Sequence, residues 1–370
     1  MAIINLFNNI YKNKKVLVTG HTGFKGSWLT LWLVLLGAKV CGFSNSYKTN
    51  PYLYKILKLN KKVKSYYGDI YDINEISKAV KSFQPEIIFH LAAQALVKKS
   101  YLNPIETFQT NSIGTLNMLM ASEKSKNLKA MVFITSDKVY KNLEIERGYN
   151  ENDIIMGTDP YSASKSCAEI IINMYLKSFA NRKKIKICVT RAGNVVGGGD
   201  WSKDRIIPDL IKRWSKSKIL KIRNPFSTRP WQFVLEPIGA YLYLGSILLK
   251  KDKKINFESF NIGPRKNVNK TVIHLIKLVK KDFINLKFQI NKDKTNKEAK
   301  LLKLNCNKIF KLTRWKPVYN FNQTIENTIS WYKYYYLKKG NIYEYSVDQI
   351  KKYIKTAQNQ NNPWISDGKN

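Results

Sequence analysis

The chain has 370 residues, a hydrophobic fraction of 44% and a formal charge of +38. That length fits about two domains of roughly 100–200 residues each, and the apolar content supports a sizeable core. No apolar run reaches the roughly 18 residues of a membrane span, and 1–15 lacks an export signal's continuous apolar core and cleavage site. The four cysteines (Cys41, Cys167, Cys188, Cys306) are scattered without C-x-x-C spacing, which argues against a disulfide framework or zinc site and for a reducing cytoplasm. No metal and no membrane are therefore expected.

In chain order, an apolar strand is predicted over 15–19 and a helix over 26–36 after a glycine turn. A second strand follows at 39–43 and a third at 62–67, ending in Gly68-Asp69. Helical spacing covers 73–83, and 85–90 reads as a buried strand. A helix at 111–123, a strand at 130–135, a long helix at 161–178 and a strand at 185–191 complete the pattern. Strands alternating with helices predict an α/β fold, a doubly wound parallel Rossmann-type sheet with ligands at the carboxyl ends of its strands.

The pattern changes after Asn194. Residues 1–194 are assigned to a dinucleotide-binding domain and 195–330 to a smaller, mixed, discontinuous substrate-binding domain, with 231–261 returning to the main sheet. Residues 331–370 are expected to form a helical tail, its Tyr and Lys explained by packing, with fraying from Gln358 onward.

Lysine is spread along the whole chain rather than gathered on one tract, and no nucleic-acid module is visible. Base composition of the coding sequence accounts for this better than nucleic-acid binding. A general positive field still raises the encounter rate with an anionic ligand.

Three local patterns carry chemistry. Gly20, Gly23 and Gly26 are spaced three apart between a strand and a helix. Glycines there allow a tight turn and close approach of a pyrophosphate, which meets unpaired N–H groups at the helix start. Glycine turns also serve packing alone. The second strand ends Gly42-Phe43-Ser44-Asn45 with neither carboxylate nor Arg, so that position does not choose between NAD and NADP. Asp69 and Ile70 are placed to hold an adenine edge, with helix capping an equal alternative for Asp69. Leu91, Ala92 and Ala93 follow the fourth strand with room for a cofactor to pass, and Phe24 belongs to the same turn.

Tyr161 and Lys165 stand four residues apart, one helical turn, on one face. A free phenol, with a pKa near ~10, is a poor base at neutral pH. A neighbouring ammonium favours the phenolate, and Ser136 at a strand end is placed to hold a substrate oxygen. The bland alternative is an exposed Tyr/Lys helix pair. His21 and His90 read as structural, and Trp201 and Trp231 as ring-stacking or core residues with equal weight.

These motifs resemble the extended short-chain dehydrogenase/reductase family, whose nucleotide-sugar epimerases and dehydratases carry a glycine turn and Tyr-x-x-x-Lys in this order. Four stretches, 18–28, 135–138, 191–208 and 229–237, resemble its subgroup of 4,6-dehydratases acting on CDP-glucose. The resemblance runs from about 14 to about 331. It implies a lyase with tightly held NAD, supplying a deoxysugar for surface polysaccharide such as lipopolysaccharide. It implies that Tyr161 takes the C4 hydroxyl proton, and that Asp137 and Lys138 share the acid and base work of water loss. The wider family has Glu where Lys138 stands, and a lysine is a base only when neutral; a solvated or phosphate-facing Lys138 is the alternative. Asn194, Arg205 and Arg229 match positions expected near sugar and diphosphate, and a homo-oligomer is usual for such a fold. A 4-epimerase, or a dehydratase for another nucleotide-sugar, are the rival readings.

Overall fold

A computed structural model describes residues 5–45, 50–179, 184–222, 224–250, 254–264, 269–283, 285–290 and 302–365. Its centre is a seven-stranded, all-parallel sheet. The strands are β1 (Lys15–Thr19), β2 (Lys39–Ser44), β3 (Lys64–Tyr67), β4 (Ile87–His90), β5 (Ala130–Ile134), β6 (Lys186–Ala192) and β11 (Ser259–Ile262), ordered β11-β6-β5-β4-β1-β2-β3. This is the doubly wound sheet expected from the alternation of elements. The order reverses between β1 and β4, where such sheets open a crevice for ligands.

Side chains alternate between the two faces of each strand, and each face has its own core. Val16, Val18, Ile87, Phe89, Val132 and Cys188 pack with Trp28, Leu31 and Trp32 of α1 (Phe24–Leu35) and Ile238, Tyr241 and Leu242 of α9 (Leu235–Leu249). Leu17, Cys41, Ile88, Met131, Phe133 and Ile187 face the other way. They meet α3 (Ile73–Phe83), α6 (Gly114–Ser122) and α7 (Pro160–Phe179) through Ile76, Val80, Met118, Leu119 and Ile172. Short helices α2 (Leu53–Ile56), α4 (Val97–Leu102) and α5 (Pro104–Phe108) fill the connections. The helix expected over 111–123 begins as a π-helical turn, Gln109–Ile113, ahead of α6.

Beyond β6 the strands outside this sheet are two or three residues long. β7 (Val195–Val196) pairs in parallel with β10 (Gln232–Phe233), β8 (Leu220–Ile222) in parallel with β13 (Phe288–Ile290), and β9 (Thr228–Pro230) antiparallel with β12 (Asn269–Thr271). Helices α8 (Ile206–Trp214), α10 (Val272–Asp282) and α11 (Asn307–Thr313) accompany them. Part of the stretch assigned to the substrate domain, 291–301, lies outside the described residues.

The last two helices, α12 (Phe321–Tyr336) and α13 (Ile342–Asn359), lie against this body. A Cβ on Gly198 would fall 2.1 Å from Trp331, so glycine is what lets that indole seat. Tyr332 Oη donates to the Asp200 carbonyl at 2.6 Å, and Glu236 of α9 accepts the N–H groups of Val318 and Tyr319 and the Tyr353 hydroxyl. Fraying from Gln358 is not observed over the described residues. Gln358 and Asn359 close α13, and buried Trp364 stacks on Tyr353 and on Phe7 with ring centres 5.9 and 5.6 Å apart. An apolar anchor overrides the polar composition around it. Residues 366–370 lie outside the described residues.

Candidate active site

The glycine turn joins β1 to α1. Gly20 has φ +70°, and a Cβ there would press on the Ala92 backbone at 2.9 Å; a Cβ on Gly26 would fall 2.1 Å from the Gly20 carbonyl oxygen. The turn is thus drawn tight against the residues after β4, where Ala92 N–H donates to Thr19 Oγ1 at 3.1 Å. Leu91, Ala92 and Ala93 line this junction half-buried. Helix α1 starts at Phe24, two residues before the expected Gly26, because Gly23 takes the N-cap position. It has neither a side-chain cap nor an acidic residue in its first turn. A glycine cradle leading into uncapped helical N–H groups fits the pyrophosphate of a dinucleotide.

At the far end of this groove, Asp69 follows β3. Its carboxylate accepts from Asn45 Nδ2 at 3.0 Å and from Tyr71 Oη at 3.1 Å. The capping of α3 falls instead to Asp72, which accepts from Asn74 and Glu75 N–H. The missing carboxylate of the second strand is therefore matched in space by one from the third. Ile70 is buried, packed over Gly114.

Ser136, Asp137 and Lys138 follow β5 in a single 3-10 turn; Ser136 Oγ donates to Asp137 Oδ1 at 3.1 Å and accepts from Lys138 N–H at 3.3 Å. Ser136 and Asp137 are buried and Lys138 is half-buried. Tyr161 opens α7, whose first turn is capped by Asp159 through the N–H groups of Tyr161 and Ser162 and the Ser162 hydroxyl. Burial raises the Tyr161 phenol above its ordinary value; a hydrogen bond with Ser136 and the Arg205 charge oppose that, while Asp137 and Asp159 add to it. Burial also raises the Asp137 carboxyl, against the pull of Lys138, Ser136 and Lys25.

Lys165 is buried, and Nζ donates to the Ile134 carbonyl at 3.4 Å. Burial and the nearby Lys25 charge lower its pKa to about 7, with Glu169 pulling the other way. Arg205 pairs with Asp200 at 3.0 Å and faces both Tyr161 and Lys25. Asn194 is held by its backbone, its carbonyl accepting from Gln232 N–H at 3.3 Å. Arg229 sits on β9, with Nη1 donating to the Thr228 carbonyl. The next residue, Pro230, comes within 3.8 Å of where a Cβ on Gly193 would be, beside the Asp137 carboxylate. Ser136, Asp137, Lys138, Tyr161, Lys165 and Arg205 are thus brought into one cluster; Arg229 approaches through its neighbour.

Lys25 was not anticipated. It is the sole charge in α1, and its Nζ lies 5.9 Å from the centre of the Tyr241 ring. Burial and Arg205 lower its pKa to about 8, with Asp137 opposing. A lysine placed inside a glycine turn ahead of an apolar helix was the available signal. His21 and His90 are structural: they bond Ser65 Oγ and Thr19 Oγ1 at 2.9 Å each. Trp201 and Trp231 are buried core residues, Trp201 packed edge-on against Trp331, Tyr332 and Tyr335. Among the described residues no cluster of three His, Cys, Asp or Glu side chains is placed to hold a metal, and no helix is long and apolar enough to cross a membrane.

A glycine turn at the crevice of a parallel sheet, facing a buried Ser, Tyr and Lys across the strand ends, defines a Rossmann-type dehydrogenase site. The sequence pattern of the GDP-mannose 4,6 dehydratase family matches residues 17–328, and the chain belongs to that family. It is 42% identical to the CDP-glucose 4,6-dehydratase of Salmonella typhimurium over 88% of this chain and 92% of that protein. The UDP-glucose 4-epimerase of Mycoplasma genitalium is 24% identical over 87% of this chain and 97% of its own length. In fold, the chain is similar to the Thermotoga maritima UDP-glucose 4-epimerase with UDP-glucose (TM-score 0.73, 24% identity, 88% of this chain and 99% of that one). It is similarly close to the Bacillus anthracis dTDP-glucose 4,6-dehydratase in complex with NAD (TM-score 0.71, 22% identity, 86% and 96%).

Proposed function

We propose that this chain is a hydro-lyase that removes water from CDP-D-glucose to give CDP-4-dehydro-6-deoxy-D-glucose. The observation that carries this is a buried carboxyl, Asp137, hydrogen-bonded to Ser136 within the Tyr161 cluster. A plain C4 oxidation or epimerisation has no use for such an acid; loss of a C6 hydroxyl does. The likeness to the Salmonella CDP-glucose enzyme supports the nucleotide.

Gly20, Gly23, Phe24 and Gly26 would hold NAD, with Asp69, Ile70, Leu91, Ala92 and Ala93 along the groove, and the bound cofactor would supply the acceptor and later the donor of hydride. Tyr161 Oη would take the proton of the C4 hydroxyl as C4 loses hydride; burial raises its pKa, and the Ser136 hydrogen bond and the Arg205 charge, rather than the Lys165 ammonium expected from the sequence, are what oppose that rise. The resulting ketone acidifies C5–H. Asp137, whose carboxyl pKa burial raises, gives a proton to the C6 hydroxyl, which leaves as water, while Lys138 is its partner at C5. Return of that hydride to C6 and of a proton to C5 would leave no net oxidation. Asn194, Arg205 and Arg229 orient the sugar and grip the diphosphate, for which a guanidinium fork is suited.

Residues 1–194 with 231–261 serve as the nucleotide-binding unit and 195–330 as the substrate unit; the short ladders after β6 support that division. We assign a homo-oligomer through the face of α4 to α7, where Leu102, Ile105, Ile113, Ile170 and Met174 stand exposed. Nucleotide-sugar chemistry of this kind belongs in the cytoplasm, feeding deoxysugars to lipopolysaccharide. The test is incubation with C4-deuterated CDP-glucose: the expected product is a 4-keto-6-deoxy sugar with the label at C6. A C4-epimeric product retaining its 6-hydroxyl overturns the reading.

A further inference from the structure

One buried ion pair outside the reacting groups touches them from both sides. Glu169 lies one turn beyond Lys165 on α7, and Arg191 lies on β6. Arg191 Nε donates to both Glu169 oxygens at 2.9 and 3.0 Å and Nη2 donates to Oε2 at 2.5 Å; the side chains are 3% and 2% exposed. Glu169 Oε1 also accepts from Thr135 Oγ1 at 2.6 Å, and Thr135 immediately precedes Ser136. On its other side, Arg191 Nη1 donates to Tyr140 Oη at 2.7 Å, and the guanidinium sits 4.9 Å from the Tyr140 ring centre. Tyr140 donates onward to Asn261 Oδ1 at 2.7 Å, anchoring the arrangement to β11.

One guanidinium therefore holds the chain at 135, through Glu169, and at 140 directly, bracketing Ser136-Asp137-Lys138. The same carboxylate fixes α7, which carries Tyr161 and Lys165. Burying such a pair is a weak route to stability, since well-packed apolar groups often do as well. Its value at this place is geometric.

We propose that Arg191, Glu169 and Tyr140 are positioning residues that set Asp137 and Lys138 against the C5–C6 bond of the sugar. The two brackets act on different steps. The Thr135 side fixes Ser136, which serves C4 oxidation; the Tyr140 side fixes Asp137 and Lys138, which serve water loss. The inference rests on the dehydratase reading.

The test is single-turnover kinetics on CDP-glucose, with C4 oxidation followed by reduced-nicotinamide absorbance and water loss by product analysis. Tyr140→Phe keeps the ring and removes the hydroxyl. It is expected to oxidise C4 at the wild-type rate, slow water loss by about tenfold or more, leave KM unchanged and accumulate a 4-keto, 6-hydroxy sugar. Thr135→Val is expected to do the reverse, slowing C4 oxidation. Thermal midpoints confirm that both variants are folded at the assay temperature. If both variants slow the two steps in equal proportion, or neither slows either, the pair is only structural and the inference fails. Absence of turnover in the unmodified enzyme sinks the dehydratase reading instead.

Discussion

Asp137 and Gly193 meet just beyond the carboxyl ends of the neighbouring strands β5 and β6: a Cβ added to Gly193 would lie 2.8 Å from Asp137 Oδ2. No real Cβ tolerates that contact, so Gly193→Ala must displace the carboxylate. Sub-ångström to ångström misplacement of a reacting group costs on the order of 10²-fold in rate. We expect kcat for dehydration to fall about 10- to 100-fold with C4 oxidation spared. Steady-state turnover beside the thermal midpoint checks this; an unaffected kcat would mean that Asp137 takes no part.

Removing the phenolic oxygen tests the first step. Tyr161→Phe should lower C4 oxidation by about 10²–10⁴-fold, the span usual for a lost general base. Asp137→Asn and Lys138→Met should do the opposite, allowing oxidation and trapping the ketone before water leaves. Rapid-quench product analysis separates the cases.

How much of this was legible beforehand differs by element. Strand β1 and helix α3 appear with their expected bounds, because a continuous apolar run and a 3.6-residue period were unbroken there. The Tyr161–Lys165 pair needed only helical spacing. The ladders outside the main sheet carry two or three residues each, too few for any period to register. Glu169 and Arg191 are 22 residues apart on different elements, and nothing in the chain ties a buried cation to one carboxylate among many. The polar stretch around Trp364 hid the large apolar side chain that helps anchor it.

Acid should weaken the protein through its buried imidazoles. Burial lowers His21 to about 4, and burial with the Lys165 charge lowers His90 to about 3. The unfolded chain binds protons near ~6.5, so between that value and those two it takes up protons that the native state refuses. Stability therefore declines as pH falls through this window, by up to about 1.4 kcal/mol per pH unit per histidine. Above about 6.5 neither state is protonated and the contribution is flat. Urea titrations of the unliganded protein from about pH 7 to 4.5 should show this slope, made shallower by His90→Asn; an equally steep slope in that variant refutes it.

Deleting the terminal anchor should cost as much as a core residue. Trp364→Ala removes an indole only 1% exposed, stacked on Tyr353 and Phe7. Loss of a large buried aromatic costs about 3–5 kcal/mol. Chemical denaturation should show a lower midpoint with an unchanged slope; a shift under about 1 kcal/mol would mean that the contact is incidental.

The hollow above Gly198 that receives Trp331 has a consequence for synthesis. The loop bearing Arg205 leaves the ribosome well before the indole that braces it. A nascent polypeptide can lay down its sheet and close the nucleotide groove long before that brace arrives. The loop around Gly198 and Trp201 thus lacks its packing partner until Trp331 has been made.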